Sequence, residues 1–249
     1  MGTMLLLLAA ALFGLQDEPK GERFDLKAGK LFLPESFKRG DAADLLVHFH
    51  GLPRVVEREF ARAGKNAALV TVNAGTGSAV YAKAMQEAGA LDALLDEALS
   101  KIPGAKRGRV FLSSFSAGYG AVREILKHGK VEVSWIHLAD SLHAGYEEGK
   151  PRADQMAPFV AYAKSGKPLW ITHSAIVPGD YASTTETADA LLAALGAVRA
   201  KADEKNPRGM RLSSTSDKGE VHVRGYEGTT APAHVEHLQN LGEYFSKLP

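Results

Sequence analysis

The chain has 249 residues, 45% of them hydrophobic and 24% charged, with a formal net charge of +1. That balance excludes a disordered chain and gives no electrostatic support for nucleic-acid binding, while leaving enough apolar material for one sizeable core. Cysteine is absent, which excludes disulfides, a lipid-modified cysteine and a thiol nucleophile.

Met4 to Gln16 opens with a leucine- and alanine-rich block that is short for a bilayer span. It reads as the apolar region of a secretory signal peptide, or an N-terminal anchor, over residues 1–16. No Lys or Arg precedes the block, a departure from the usual pattern. The expectation is export to the periplasm or the exterior, with cleavage near Gly14 to Asp17, or membrane anchorage if the segment is kept. Residues 22–249 are then expected to form a single domain.

Residues 23–34 read as extended, with Phe24, Leu26, Leu31 and Leu33 as the apolar positions. Asp44 to Gly51 is a buried-strand pattern that ends in His50-Gly51, and Ala67 to Asn73 is the next one. A Gly-rich loop, Ala74 to Ser78, precedes a helix carrying Leu91, Leu94, Leu95, Ala98 and Leu99 at helical spacing. Val110 to Ser113 predicts a strand that passes through Ser114-Phe115-Ser116-Ala117-Gly118 straight into a helix, residues 117–128. Residues 131–139 predict a strand with Asp140 just beyond it, and 156–164 a helix. Pro168 to Thr172 is a short strand ending at His173-Ser174. Ser183-Thr184-Thr185-Glu186 is a capping-box signature for the helix with Leu191, Leu192 and Leu195. Residues 211–216 and 220–225 flank Asp217-Lys218-Gly219 and suggest a late hairpin. Val235, Leu238, Leu241, Phe245 and Leu248 mark a C-terminal helix.

Strands alternating with helices predict an α/β fold: a mostly parallel central sheet with helices on both faces. In such sheets ligands bind beyond the carboxyl ends of the strands. His50, Asn73, Ser116, Asp140, His173 and Ser174 fall at those ends.

The strand–turn–helix around Ser116 has the form of a nucleophile elbow, Gly-x-Ser-x-Gly, with Ser114 in place of the first glycine. On its own the turn also fits an ordinary βα connection. Together with His50-Gly51, the acids beyond later strands and a histidine before the final helix, it resembles the α/β-hydrolase family over roughly residues 44–248. The resemblance implies a three-layer sandwich and a serine hydrolase, most simply a carboxylic ester hydrolase. It implies Ser116 as nucleophile, His234 as base and Asp140 as orienting acid, with Asp180 the alternative acid and His237 the alternative base. Asp140 is preferred because Asp180 lies in Val177-Pro178-Gly179-Asp180-Tyr181, a good turn in its own right. The backbone N–H groups of Ala117 and of Leu52 or Gly51 would form the oxyanion site. His50, Tyr81, His173, Ser174 and Tyr181 are candidate cleft residues, and residues 141–158 a small polar lid.

The expected partner is a small-molecule or carbohydrate ester, with no cofactor, no metal, no nucleic acid and no lasting membrane association once the signal is removed. The oligomeric state stays open. Two other readings are a metal-dependent amidohydrolase-type enzyme and a non-catalytic binding protein on a hydrolase scaffold. The first would use His48/His50 with His137, His173 and Asp140 or Asp180. The chain is short for the barrel such an enzyme needs.

Overall fold

A ten-stranded sheet runs through residues 18–249, the part of the chain described by the computed structural model. The signal peptide or anchor expected at 1–16 lies outside the described residues. The strands are β1 (Gly21–Leu26), β2 (Gly29–Pro34), β3 (Ala42–Phe49), β4 (Ala68–Val72), β5 (Lys106–Phe115), β6 (Val133–Ala139), β7 (Tyr146–Glu147), β8 (Lys150–Pro151), β9 (Leu169–His173), β10 (Ala200–Lys205), β11 (Arg211–Lys218) and β12 (Val221–Tyr226). Their order in the large sheet is β1-β2-β4-β3-β5-β6-β9-β12-β11-β10, with β7-β8 a separate small hairpin.

From β4 across to β12 every neighbouring pair is parallel. Antiparallel strands extend the sheet at both ends. The parallel strands read as nearly continuous apolar runs because helices cover both their faces. One face carries the helices Ser78–Met85, Ala90–Leu99, Tyr119–His128, Ala153–Lys164 and Thr184–Ala194 over an aliphatic core. The other carries Pro53–Ala63, Ala231–Gln239 and Leu241–Phe245, packed through Val56, Phe60, Leu238, Leu241 and Phe245 on Phe111, Phe115 and Trp135. This is the three-layer α/β arrangement that the alternation of elements implied.

Two rows of residues cross the sheet one position apart. Val70, Val47, Leu112, Ile136, Leu169 and Val221 stand side by side and point into the aliphatic core. The adjoining row is Thr71, His48, Ser113, His137, Trp170 and His222, which points to the opposite face.

Several elements differ from the sequence expectations. Residues 23–34 form a hairpin, β1–β2, rather than one extended segment. The helix Pro53–Ala63 was not anticipated, although Pro53 at its start and a left-handed Gly64 (φ 64°) at its end are helix boundary signals. The helix Ser78–Met85 and the strand β10 were also missed. The C-terminal stripe is divided into two helices at Asn240. The outermost strands, β1 and β10, are rich in charged residues, and β10 carries a register irregularity between Lys201 and Glu204.

Candidate active site

The chain turns sharply just past the ends of β3, β5 and β6, at His50, Ser116 and Asp140. All three occupy the left-handed backbone region, with φ of 70°, 48° and 44°. For residues with a Cβ that region costs about 1–3 kcal/mol each, a cost borne where a side chain must be lifted out of the sheet. Ser116 passes from β5 into a single 3-10 turn, Ser116–Gly118, which leads into the helix Tyr119–His128. Gly118 is obligatory there, because a Cβ would lie 2.1 Å from the Phe49 carbonyl oxygen. Ser114, at the place of the usual first glycine, has its own task. Its hydroxyl lies 2.7 Å from that of Ser141, and Ser141 donates to the Ser116 carbonyl at 2.8 Å. The turn that carries Ser116 is thereby tied to the loop that carries Asp140.

Asp140 is only 2% exposed and fully hydrogen-bonded. Its Oδ2 accepts from His234 Nδ1 at 2.6 Å, and its Oδ1 accepts from the Ser174 N–H at 2.9 Å and the Thr184 hydroxyl at 2.5 Å. Burial by itself would raise its pKa. The hydrogen bond from His234, the neighbouring His237 and His234 rings and the Thr184 hydroxyl outweigh it, holding the carboxyl well below the usual range. Thr184 is set in place by the capping box at Ser183 and Glu186, which forms reciprocally as its sequence signature requires.

His234 lies in the first turn of the helix Ala231–Gln239, its N–H donating to the Thr230 carbonyl at 3.1 Å and its ring 4.5 Å from that of Phe115. Because Nδ1 donates to Asp140, Nε2 is left as the acceptor, the form a general base needs. His234 and Ser116 open onto the same cleft, of about 360 Å³, which is also lined by His143, Ser174, Tyr181 and Thr184. Among the described residues no hydrogen bond joins the Ser116 hydroxyl to the His234 ring, whose side-chain bond is to Asp140.

The two alternatives stand elsewhere. Asp180 is exposed and makes no hydrogen bond or ion pair among the described residues. His237 is buried one turn beyond His234, with Nδ1 2.8 Å from the Thr172 hydroxyl, and burial pushes it down to about 4.

Ala117 heads the turn after Ser116, where helix starts leave N–H groups without intrahelical acceptors. The N–H groups of Gly51 and Leu52 donate to no acceptor among the described residues. None of the three is among the residues that line the cleft of about 360 Å³.

Of the candidate cleft residues, Ser174 and Tyr181 line the cleft, whereas His50, Tyr81 and His173 do not. Tyr81 is fully buried, and its hydroxyl donates toward the Gly75 carbonyl (2.9 Å) and Asn73 Oδ1 (3.1 Å). His50 Nδ1 lies 2.7 Å from that hydroxyl while its ring stacks on Phe115. His173 is turned into the protein. Its Nδ1 faces the Ser174 carbonyl and the Thr185 hydroxyl, its Nε2 meets the Arg199 guanidinium, and burial together with Arg199 pushes it down to about 4. These three residues support the strand ends from behind. Sequence reasoning missed His143, which lines the cleft three residues past Asp140 within the expected lid.

The His48-x-His50 pair is not a ligand set. His48 Nε2 donates to the His50 carbonyl at 2.8 Å, and its Nδ1 takes the Ser113 hydroxyl at 3.0 Å. His137 is sealed in the core, stacked on Tyr244 at 4.3 Å. Among the described residues no group of three or more His, Asp or Glu is arranged to hold a metal ion. Of these histidines, His48 and His137 belong to a polar row of the core.

No protein-family model and no curated protein matches the chain. Solved structures do match its fold. The acetyl xylan esterase from Aspergillus awamori superposes with a TM-score of 0.54 at 13% identity, covering 88% of this chain and 94% of the esterase. An esterase from the bacterial hormone-sensitive lipase family gives 0.53 at 12% identity, covering 98% of this chain and 89% of its own. A hormone-sensitive lipase from a metagenome library gives 0.52 at 12% identity, with 98% and 92% covered. The chain has the α/β-hydrolase fold.

Proposed function

We propose that this protein is an ester hydrolase acting through an acyl-enzyme on Ser116. The single observation that carries the reading is the buried Asp140 carboxylate bonded to His234 Nδ1 at 2.6 Å, on the cleft onto which a left-handed Ser116 opens. In this mechanism His234 Nε2 takes the Ser116 proton as the oxygen attacks the ester carbonyl. The N–H groups of Ala117 and of Leu52 or Gly51 receive the negative charge that develops on the carbonyl oxygen, often the largest single contribution to such catalysis. His234 returns the proton to the leaving alcohol, then activates a water that releases the acid and frees Ser116. Asp140 stays ionised throughout and stabilises the imidazolium. That the solved structures of like fold are named as esterases and a lipase supports ester chemistry.

Turnover of short-chain p-nitrophenyl esters by the purified protein tests the reading. Ser116→Ala should lower kcat by about 10⁴-fold or more while leaving the circular dichroism spectrum unchanged. A fluorophosphonate should label the wild type and not the variant. A protein that neither turns over esters nor reacts with the probe would be a binding protein on this scaffold, and the reading would fall. We further propose that residues 22–249 form the working domain and that residues 1–16 direct export. Mass determination of the N-terminus of the protein recovered from the periplasm or medium checks the cleavage.

A further inference from the structure

We propose that His143 is a specificity-determining residue whose Nε2 accepts a hydrogen bond from a free hydroxyl of the substrate, so that the preferred ester carries a hydroxyl beside the bond being cleaved. The inference rests on the ester-hydrolase reading and adds the substrate class.

The tautomer of His143 is set by its surroundings. Its Nδ1 lies 3.2 Å from the Ala182 carbonyl oxygen, which can only accept, so Nδ1 carries the proton and Nε2 carries the lone pair. That carbonyl is held in place, because Ala182 and Ala144 are buried and pair across a β-bridge through the Ala182 N–H, 2.8 Å from the Ala144 carbonyl. The ring is also clamped edge-wise. Tyr119 lies 5.4 Å and Tyr181 5.1 Å from it between centroids, and the Tyr119 hydroxyl is fixed 3.0 Å from that of Ser78. A side chain fixed in this way presents its remaining nitrogen in one direction.

That nitrogen makes no side-chain hydrogen bond among the described residues. Unlike those of His137 and His237 it is not sealed in the core, and the residue lines the cleft together with Ser116 and His234. An acceptor placed there selects for a donor. Burial lowers the pKa of His143, outweighing the Ala182 carbonyl and the Asp140 carboxylate that raise it, a direction that favours the neutral ring. The rest of the wall is mixed. Ser174 and Thr229 add hydroxyls, the Thr184 hydroxyl is taken by Asp140, and Ile176, Pro178, Ala231 and Tyr181 supply apolar surface. A cleft of about 360 Å³ suits a compact ester, with His143 the group that selects for a hydroxyl.

Two substitutions separate the roles of the ring nitrogens. His143→Asn keeps an amide N–H within reach of Ala182 and deletes the acceptor in the cleft, whereas His143→Gln keeps an oxygen where Nε2 stood. The readout is the ratio of kcat/KM for a monoacetylated methyl glycoside to that for cyclohexyl acetate, which has the same ring size and no hydroxyl. The wild type should favour the glycoside. Asn should lower the ratio by about 10- to 100-fold, the scale set by removing the partner of a desolvated donor, and Gln should keep it within about threefold. An Asn ratio equal to the wild type's, or a wild type without preference, overturns the proposal. If Asn fails to fold, a Gln variant that loses the preference overturns it and one that keeps it supports it. p-Nitrophenyl acetate is the internal control: a wild type inert toward it sinks the ester-hydrolase reading, whereas turnover without hydroxyl preference sinks only the role of His143.

Discussion

The two rows that cross the sheet one residue apart have opposite chemistry. Val70, Val47, Leu112, Ile136, Leu169 and Val221 all lie in the aliphatic core. Thr71, His48, Ser113, His137, Trp170 and His222 lie on the face covered by the helix that carries His234. The first row stabilises by burying area, at about 25 cal/mol per Å². The second buries polar atoms, some of them, such as both ring nitrogens of His137 and the Thr71 hydroxyl, without a partner. Buried polar groups of that kind lower stability. One side is thus held by an aliphatic row, while on the other the cluster around Phe60, Phe111, Trp135 and Phe245 packs beside a polar row and the helix that carries His234.

The comparison can be broken at several points. The largest effect is expected at the crest, where Asp140→Asn should cut kcat by about 10⁴-fold through loss of the imidazole's orientation. Asp180→Asn in parallel assays should stay within about threefold; the reverse order would move the acid to the later loop. Next, Leu112→Ala in the aliphatic row should lower unfolding free energy in urea by about 2–5 kcal/mol. A loss below about 0.5 kcal/mol would show that this row does not dominate stability.

A smaller effect is expected from pH. Burial pushes His48 from 6.5 down to about 3 and His237 down to about 4, and pushes His137 well below its ordinary value. The unfolded chain binds these protons near pH 6.5 and the folded chain refuses them. Stability is thus complete above about 6.5 and declines as pH falls toward the folded values, by about 1.4 kcal/mol per pH unit for each histidine. Thermal melts should be flat from pH 7 to 8 and fall between pH 6 and 4.5. A melting temperature that climbs over that acid range would refute the assignment. The smallest effect is expected for His137→Leu, which should change stability by less than about 1 kcal/mol or raise it, because it removes two unpartnered nitrogens. A loss as large as that of Leu112→Ala would mean that the polar row is itself a source of stability.

The alternation of strands and helices, the serine turn, the capping box and the late hairpin were legible because each rests on local chemistry. Ser116 at its turn and Asp140 at a strand end were readable for the same reason. The two rows were not. Strands buried on both faces lack the apolar–polar alternation that separates one face from the other. His48 and His50 alternate along the chain and so resembled metal ligands, but the left-handed turn at His50 sends one ring to Tyr81 and leaves the other in the core. Tyr81 and His173 fell at loop and strand ends in sequence, yet tertiary partners, Asn73 and Gly75 for one and Arg199 for the other, draw both inward. His143 escaped notice because its meaning depends on Ala182, far along the chain.

The outer strands β1 and β10 have a consequence for how molecules of this protein meet one another. Among the described residues the ten-stranded sheet ends at β1 and β10, and such borders offer rows of unsatisfied amide groups on which a foreign strand could grow. Here one border carries Glu22, Arg23 and Asp25, and the other carries Lys201, Asp203, Glu204 and Lys205 beside a break in register. Any chain docking there would have to strip water from those charges and match an interrupted ladder. Concentrated solutions should accordingly resist fibril growth by edge pairing.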